Sequence, residues 1–106
     1  MPQIIVKNVK KHEIESIADL MLNNLTKIIG CDLDALSLEL IEGVLISEKN
    51  GKYPIIQINW FERPKAIQDA VALEIDKCFR SLGYEQVDVF FIILEKSRYY
   101  DNGVHY

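Results

Sequence analysis

Apolar residues recur at Ile14, Ile17, Ala18, Met21, Leu25, Ile28 and Ile29, the spacing of one helix face. This pattern predicts a helix over 13–29, with Gly30 standing where a terminating glycine belongs. A second helix is predicted over 64–82 from Ile67, Val71, Ile75, Cys78, Phe79 and Leu82. Pro64 suits its first helical position and Gly83 its stop. Each helix lies between two β-prone runs: IIVKNV and LSLELIE flank the first, PIIQINWF and VDVFFIILE the second. Laid together, Pro2-Gln-Ile-Ile-Val matches Pro54-Ile-Ile-Gln-Ile, and Gly30 through LELIE matches Gly83 through FIILE. The chain therefore reads as one domain over 1–106 with pseudo-repeats at about 1–43 and 53–97 and a C-terminal hook at 98–106. Between the halves, EGVLISEKNGKY carries an Asn50-Gly51 turn signal, which predicts a hairpin link.

Each strand–helix–strand is expected to be a parallel crossover. The predicted fold is α+β: a duplicated β-α-β, with a four-stranded mixed sheet and two helices on one face. That architecture leaves apolar surface over. VFFIIL is apolar on both faces of its strand. PIIQINWF places Ile55 and Phe61 on one side and Ile56, Ile58 and Trp60 on the other. Two helices cover only one side of a sheet, so the second side is expected to be buried by oligomerisation. The tail SRYYDNGVHY adds a turn signal at Asp101-Asn102-Gly103, and the hook is expected to lie across a neighbouring subunit.

Composition narrows the function classes. At 106 residues and 49% hydrophobic content the chain has material for a modest core. A net charge of −4 and a pI near 5.1 argue against nucleic acid as a partner. No apolar run approaches the ~20 residues needed to cross a bilayer, and no charged leader precedes Pro2, so a cytoplasmic protein with no membrane partner is expected. Cys31 and Cys78 form no CxxC pair and read as reduced thiols filling a turn and a helix. His12 and His105 lack metal-ligand spacing to them, so neither a metal nor a cofactor is expected.

Candidate chemistry begins at Pro2. A proline is tolerated at the start of a strand, and that alone would account for it. With Met1 removed, the same residue would present a secondary amine able to take a proton beside a carbonyl or to add to one. Burial and nearby cations would lower its pKa. Lys10, Lys11 and His12 precede the first helix and Arg63 the second, although positive side chains there oppose the helix dipole. Free N–H groups at the same ends favour anions, which marks Lys11 and, above all, the planar fork of Arg63 as carboxylate binders. Pairing of these cations with Glu13, Glu15 or Glu62 is the alternative. Glu39 sits on the strand face opposite Leu36, Leu38 and Leu40, where it would pair with Arg63 or Tyr99, or else face solvent. Trp60 reads as core, with a ligand platform as the alternative. Tyr99, Tyr100, His105 and Tyr106 cluster in the tail as contact residues, with Tyr99 and His105 able to line a pocket between subunits.

A doubled strand–helix–strand beginning at Pro2 resembles the tautomerase superfamily, the group of oxalocrotonate tautomerase and macrophage migration inhibitory factor. YPIIQINWF, the helix opening on Gln68-Asp69, and the ending FIILEKSRYYDNGVHY look like a small bacterial family of unknown function within it. The resemblance implies a homotrimer with sites at subunit boundaries. It also implies an amino-terminal proline acting as base or nucleophile on a small carbonyl or unsaturated carboxylic acid, without cofactor. The chain departs from the better-known members. Cys31-Asp32 stands where the inhibitory factor has a lysine, Asp88 and Phe90 where it has tyrosine and asparagine, and about Ser37 where oxalocrotonate tautomerase has an arginine. Pro2 and the helix-start cations carry over; the specific substrate apparatus does not. The competing expectation is a non-catalytic oligomeric module that binds an anion or a protein partner.

Overall fold

The computed structural model describes residues 1–47 and 51–106. The chain runs β1 (Gln3–Lys7), α1 (Lys11–Ile29), a 3-10 turn at Leu33–Ala35, β2 (Ser37–Ile41), β3 (Ile55–Phe61), α2 (Lys65–Arg80), β4 (Asp88–Leu94), a second 3-10 turn at Lys96–Arg98, and a small hairpin of β5 (Tyr100–Asp101) and β6 (Val104–His105). The four long strands form one sheet in the order β2-β1-β3-β4. β1 pairs parallel with β2, β3 parallel with β4, and β1 antiparallel with β3. This is the α+β mixed sheet expected from the doubled pattern. Asn50 of the expected hairpin link lies outside the described residues; β2 and β3 are not neighbours in the sheet, and residues 42–47 and 51–54 are not in strands.

Alternation along the strands decides the two faces. Ile4 and Val6 on β1 and Ile56, Ile58 and Trp60 on β3 are buried with Met21 and Leu25 of α1 and Val71, Ile75 and Phe79 of α2. The opposite face carries Ile5, Ile55, Phe90 and Ile92 around a chain of side-chain amides. Gln57 donates to Asn59 Oδ1 (2.8 Å), and Asn59 donates to Gln3 Oε1 (3.3 Å). No helix covers this face, and Phe90 and Ile92 are each 42% exposed.

The helix ends follow local rules. Gly30 adopts φ +78° and returns its N–H to Thr26 O (2.8 Å), closing α1 where only glycine sits without strain. At the other end, Glu13 accepts the Lys10 backbone N–H (2.9 Å) and the Tyr84 hydroxyl (2.7 Å), tying α1 to the segment after α2. The Lys10 N–H first, then the Tyr84 hydroxyl, hold the Glu13 carboxyl below its usual range; burial and Glu13 push the Tyr84 phenol up to about 12. A depressed folded pKa means that this stabilisation is full above the unfolded value and is lost as pH falls through the folded one. Tyr84→Phe is therefore expected to cost about 1 kcal/mol at neutral pH. Glu13→Gln should flatten the acid limb of stability against pH in denaturant titrations; an unchanged acid limb would contradict this role.

Candidate functional site

Antiparallel pairing of β1 with β3 puts the beginning of one strand beside the end of the other. Gln3 faces Asn59, so continuing the register by one residue sets Pro2 opposite Trp60. Pro2 is less than 2% exposed, and its carbonyl accepts the Ser37 N–H (3.1 Å). In the chain as it stands the Pro2 nitrogen is an amide, and the Met1 amino group donates to Ala35 O.

Arg63 leaves the end of β3 and folds back over this region. Its Cζ lies 4.7 Å from the centroid of the Trp60 ring, and Nη1 donates to Phe61 O (3.0 Å). Among the described residues it forms no ion pair, so the expected alternative of pairing with Glu62 is not what is seen. Trp60, fully buried, also stacks on Phe91 (4.8 Å between ring centroids, 24° between planes). The guanidinium thus stands over a rigid aromatic ring, with Nη1 bonded to Phe61 O and the remaining donors without a protein partner among the described residues. The first turn of α2 directly beyond it contains no acidic residue. α1 differs, because Glu13 lies in its first turn.

The tail reaches the same end of the sheet. Tyr99 packs edge-on against Phe61 (5.5 Å), Tyr106 lies 5.0 Å from Phe61, and the two tyrosines meet at 5.2 Å. Lys96 Nζ stands 5.7 Å from the Phe61 ring centroid. Tyr99 also lines a shallow groove of about 220 Å³ with Ile93, Leu94, Glu95 and Arg98. Pro2, Arg63 and Tyr99 therefore share one end of the sheet.

The other sequence-derived candidates are elsewhere in the single chain. Lys11 opens α1 after the end of β1, at the opposite end of the sheet. There it lines an open cleft of about 360 Å³ with Asn8, Lys10, Glu42 and Lys52. Glu39 is exposed on the edge strand β2, opposite Ile5, and is bonded to neither Arg63 nor Tyr99. His105 is exposed in the hook, its Nδ1 3.0 Å from Tyr106 O and its ring edge-on to Tyr100.

Sequence reading put Trp60 with the core and left the ligand platform as the alternative. Its Nε1 is buried without a hydrogen-bond partner among the described residues, and its ring carries Arg63. An aromatic residue three positions before an arginine, at the end of an apolar strand, was the available signal. Cys78 is buried and its thiol donates to Glu74 Oε2 at 3.2 Å; burial and Glu74 push the thiol up to about 12. Among the described residues no group of side chains is arranged to hold a metal, and no helix is long and apolar enough to cross a membrane.

Comparison with known proteins gives the geometry a context. The family model for the domain of unknown function DUF1904 matches residues 1–105. No curated protein matches the sequence. A DUF1904 crystal structure from Sebaldella termitidis is similar over 100% of both chains at 23% identity and a TM-score of 0.88. A macrophage migration inhibitory factor-like protein from Entamoeba histolytica matches 99% of this chain and 98% of its own at 14% identity and a TM-score of 0.78. A fused 4-OT, described as a symmetric trimer, matches 98% and 94% at 15% identity and a TM-score of 0.74. The order β2-β1-β3-β4 with both helices on one face is the fold of the tautomerase superfamily, and the chain belongs to the DUF1904 family.

Proposed function

We propose that the chain is a tautomerase-like protein that moves a proton on a small carbonyl or unsaturated carboxylic acid without a cofactor. Pro2, freed of Met1, is the base, and Arg63 holds the substrate carboxylate. The observation that carries this reading is the guanidinium fixed on Trp60 and Phe61 O at the end of the sheet where Pro2 lies. In the step itself, the Pro2 lone pair takes a proton from the carbon beside the carbonyl. The C–H electron pair becomes the enol double bond, and the carbonyl oxygen is protonated in turn; the reverse sequence returns the keto form. A nitrogen sheltered beside buried apolar side chains, with a cation at the same end of the sheet, is disfavoured in its charged form, as a base at neutral pH requires.

Assembly belongs to the same reading. The uncovered face with Ile5, Ile55, Phe90 and Ile92 favours a homotrimer with sheets turned inward, as does the trimeric state of the fused 4-OT. Light scattering at micromolar concentration should give a trimer; a monomer would contradict it.

The second reading turns on whether Met1 is kept, because Pro2, which is buried, has a basic nitrogen only once Met1 is gone. A chain that keeps Met1 would retain the anion pocket and lack the base, making it a binding module.

Arg63 separates substrate holding from chemistry. With a phenylpyruvate-like acid and Met1-free protein, Arg63→Ala is expected to raise KM or Kd about 10- to 100-fold without unfolding, the weight of charged hydrogen bonds. Arg63→Lys should fall between, because it keeps the charge and loses the fork. Unchanged affinity in Arg63→Ala would overturn the assignment.

A further inference from the structure

The far end of the sheet repeats the frame of the Pro2 end. Lys7 of β1 faces Ile55 of β3, which sets the end of β1 beside Pro54. Pro54 is less than 2% exposed, and its carbonyl accepts the Asp88 N–H (3.1 Å), as the Pro2 carbonyl accepts that of Ser37. Lys11 stands nine positions after Pro2, and Arg63 nine positions after Pro54. One cation of this equivalent pair stands at each end, but what gathers around it differs.

At the far end Lys11 lines the open cleft of about 360 Å³ with Lys10, Lys52, Asn8 and Glu42. The cations come from two stretches distant in sequence: Lys10 and Lys11 at the start of α1, and Lys52 ahead of β3. The cleft is thus more than a helix end. All three lysines are exposed, and none forms an ion pair among the described residues. Glu13, in the first turn of α1, gives its carboxylate to the Lys10 backbone N–H and the Tyr84 hydroxyl. Glu42 is the only carboxylate lining the cleft among the described residues. Three positive charges therefore face one negative, in a chain whose net charge is −4. Like charges gathered on one cleft repel, and an anion between them relieves the repulsion.

The chemistry of the lining selects the anion. Lysine ammonium groups are compact point charges that bind phosphate well, whereas the planar fork of Arg63 suits a carboxylate. A phosphate monoester carries about −1.5 to −2 charge at neutral pH, which matches the surplus of the lining. The cleft volume lies near the lower end of the ~300–1,000 Å³ of small-molecule sites, as a small ester requires. The Pro54 nitrogen is an internal amide, so the equivalent of the Pro2 base is missing here.

We infer that this cleft is a second binding site, which takes a small phosphate monoester among Lys10, Lys11 and Lys52 and binds it without proton transfer. The length of the sheet separates it from Pro2 and Arg63, and it is independent of the Pro2 chemistry.

The test is an NMR titration of the full chain with glycerol 3-phosphate, and with succinate as the carboxylate probe. Amide shifts are expected to centre on residues 8–11, 42–43 and 52. Lys11→Gln with Lys52→Gln is expected to raise the Kd for the ester on the order of tenfold or more. Lys11→Arg with Lys52→Arg keeps the charge and should retain binding, and circular dichroism checks that each variant folds. Arg63→Ala should bind the ester as wild type does, and succinate should bind several-fold more weakly. Unchanged affinity in the double glutamine variant, shifts centred on Arg63, or succinate binding as tightly as the ester would overturn the site. Such a failure leaves the Pro2 assignment standing, and loss of the Pro2 assignment leaves this site standing.

Discussion

Replacing Trp60 with alanine is expected to destabilise the fold by about 3–5 kcal/mol, the range for removing a large buried aromatic side chain. Its side chain is fully buried beside Pro2 in the register, stacks on Phe91, and carries the Arg63 guanidinium. The loss is a large share of the ~5–15 kcal/mol that holds a domain together. Trp60→Phe should cost much less. It keeps most of the packing and removes an indole N–H that has no partner among the described residues. The pair of variants therefore splits two roles. If Trp60 is a platform for Arg63, Trp60→Phe keeps carboxylate affinity within a few-fold while Trp60→Ala loses it even under conditions where the protein remains folded. Denaturant unfolding and ligand titration on the same samples read both. A Trp60→Ala protein as stable as wild type would contradict the packing account.

The second large effect concerns Pro2. In Met1-free protein, Pro2→Ala is expected to lower kcat/KM for enol–keto conversion by about 10²–10⁴-fold, the usual contribution of a positioned general base. Because the Pro2 ring is buried, alanine also removes packing, and stability must be measured alongside. N-acetylation of the wild-type amine is the cleaner companion, since it keeps the ring and takes away the lone pair. Equal loss in both identifies the nitrogen as the cause. Full activity in the acetylated protein would assign turnover to another group and leave the chain as a binding module.

Much of the fold was legible because the periodicities are strong and locally consistent. The apolar stripe from Ile14 to Ile29 ends at a glycine that adopts a positive φ, and the alternation in PIIQINWF puts Ile56, Ile58 and Trp60 inside. The two-faced VFFIIL run correctly marked a strand with apolar side chains on the face the helices leave bare. The site was less legible. Lys11 and Arg63 occupy equivalent places in the two halves, and the sequence invites treating them as one pocket. The halves meet through antiparallel β1 and β3, so equivalent helix starts fall at opposite ends of the sheet. Periodicity within a half carries no information on how the halves are turned. Arg63 lying over Trp60 likewise depends on where its side chain turns after the end of β3, which spacing does not encode. Glu39 stands on the strand face opposite the leucines, as its spacing indicated, beside Ile5 and bonded to neither Arg63 nor Tyr99.

The central claim is that Pro2 carries a free, basic nitrogen beside the Arg63 guanidinium. A pH titration by ¹⁵N NMR of proline-labelled protein, processed as in its own host, tests it directly. The chain has three prolines, and two of them, Pro54 and Pro64, are internal amides that do not titrate. The account predicts one titrating signal, with a midpoint below that of an unburied proline amine and displaced when a small carboxylate is added. Three silent amide signals, or a midpoint unshifted and indifferent to the carboxylate, would contradict it.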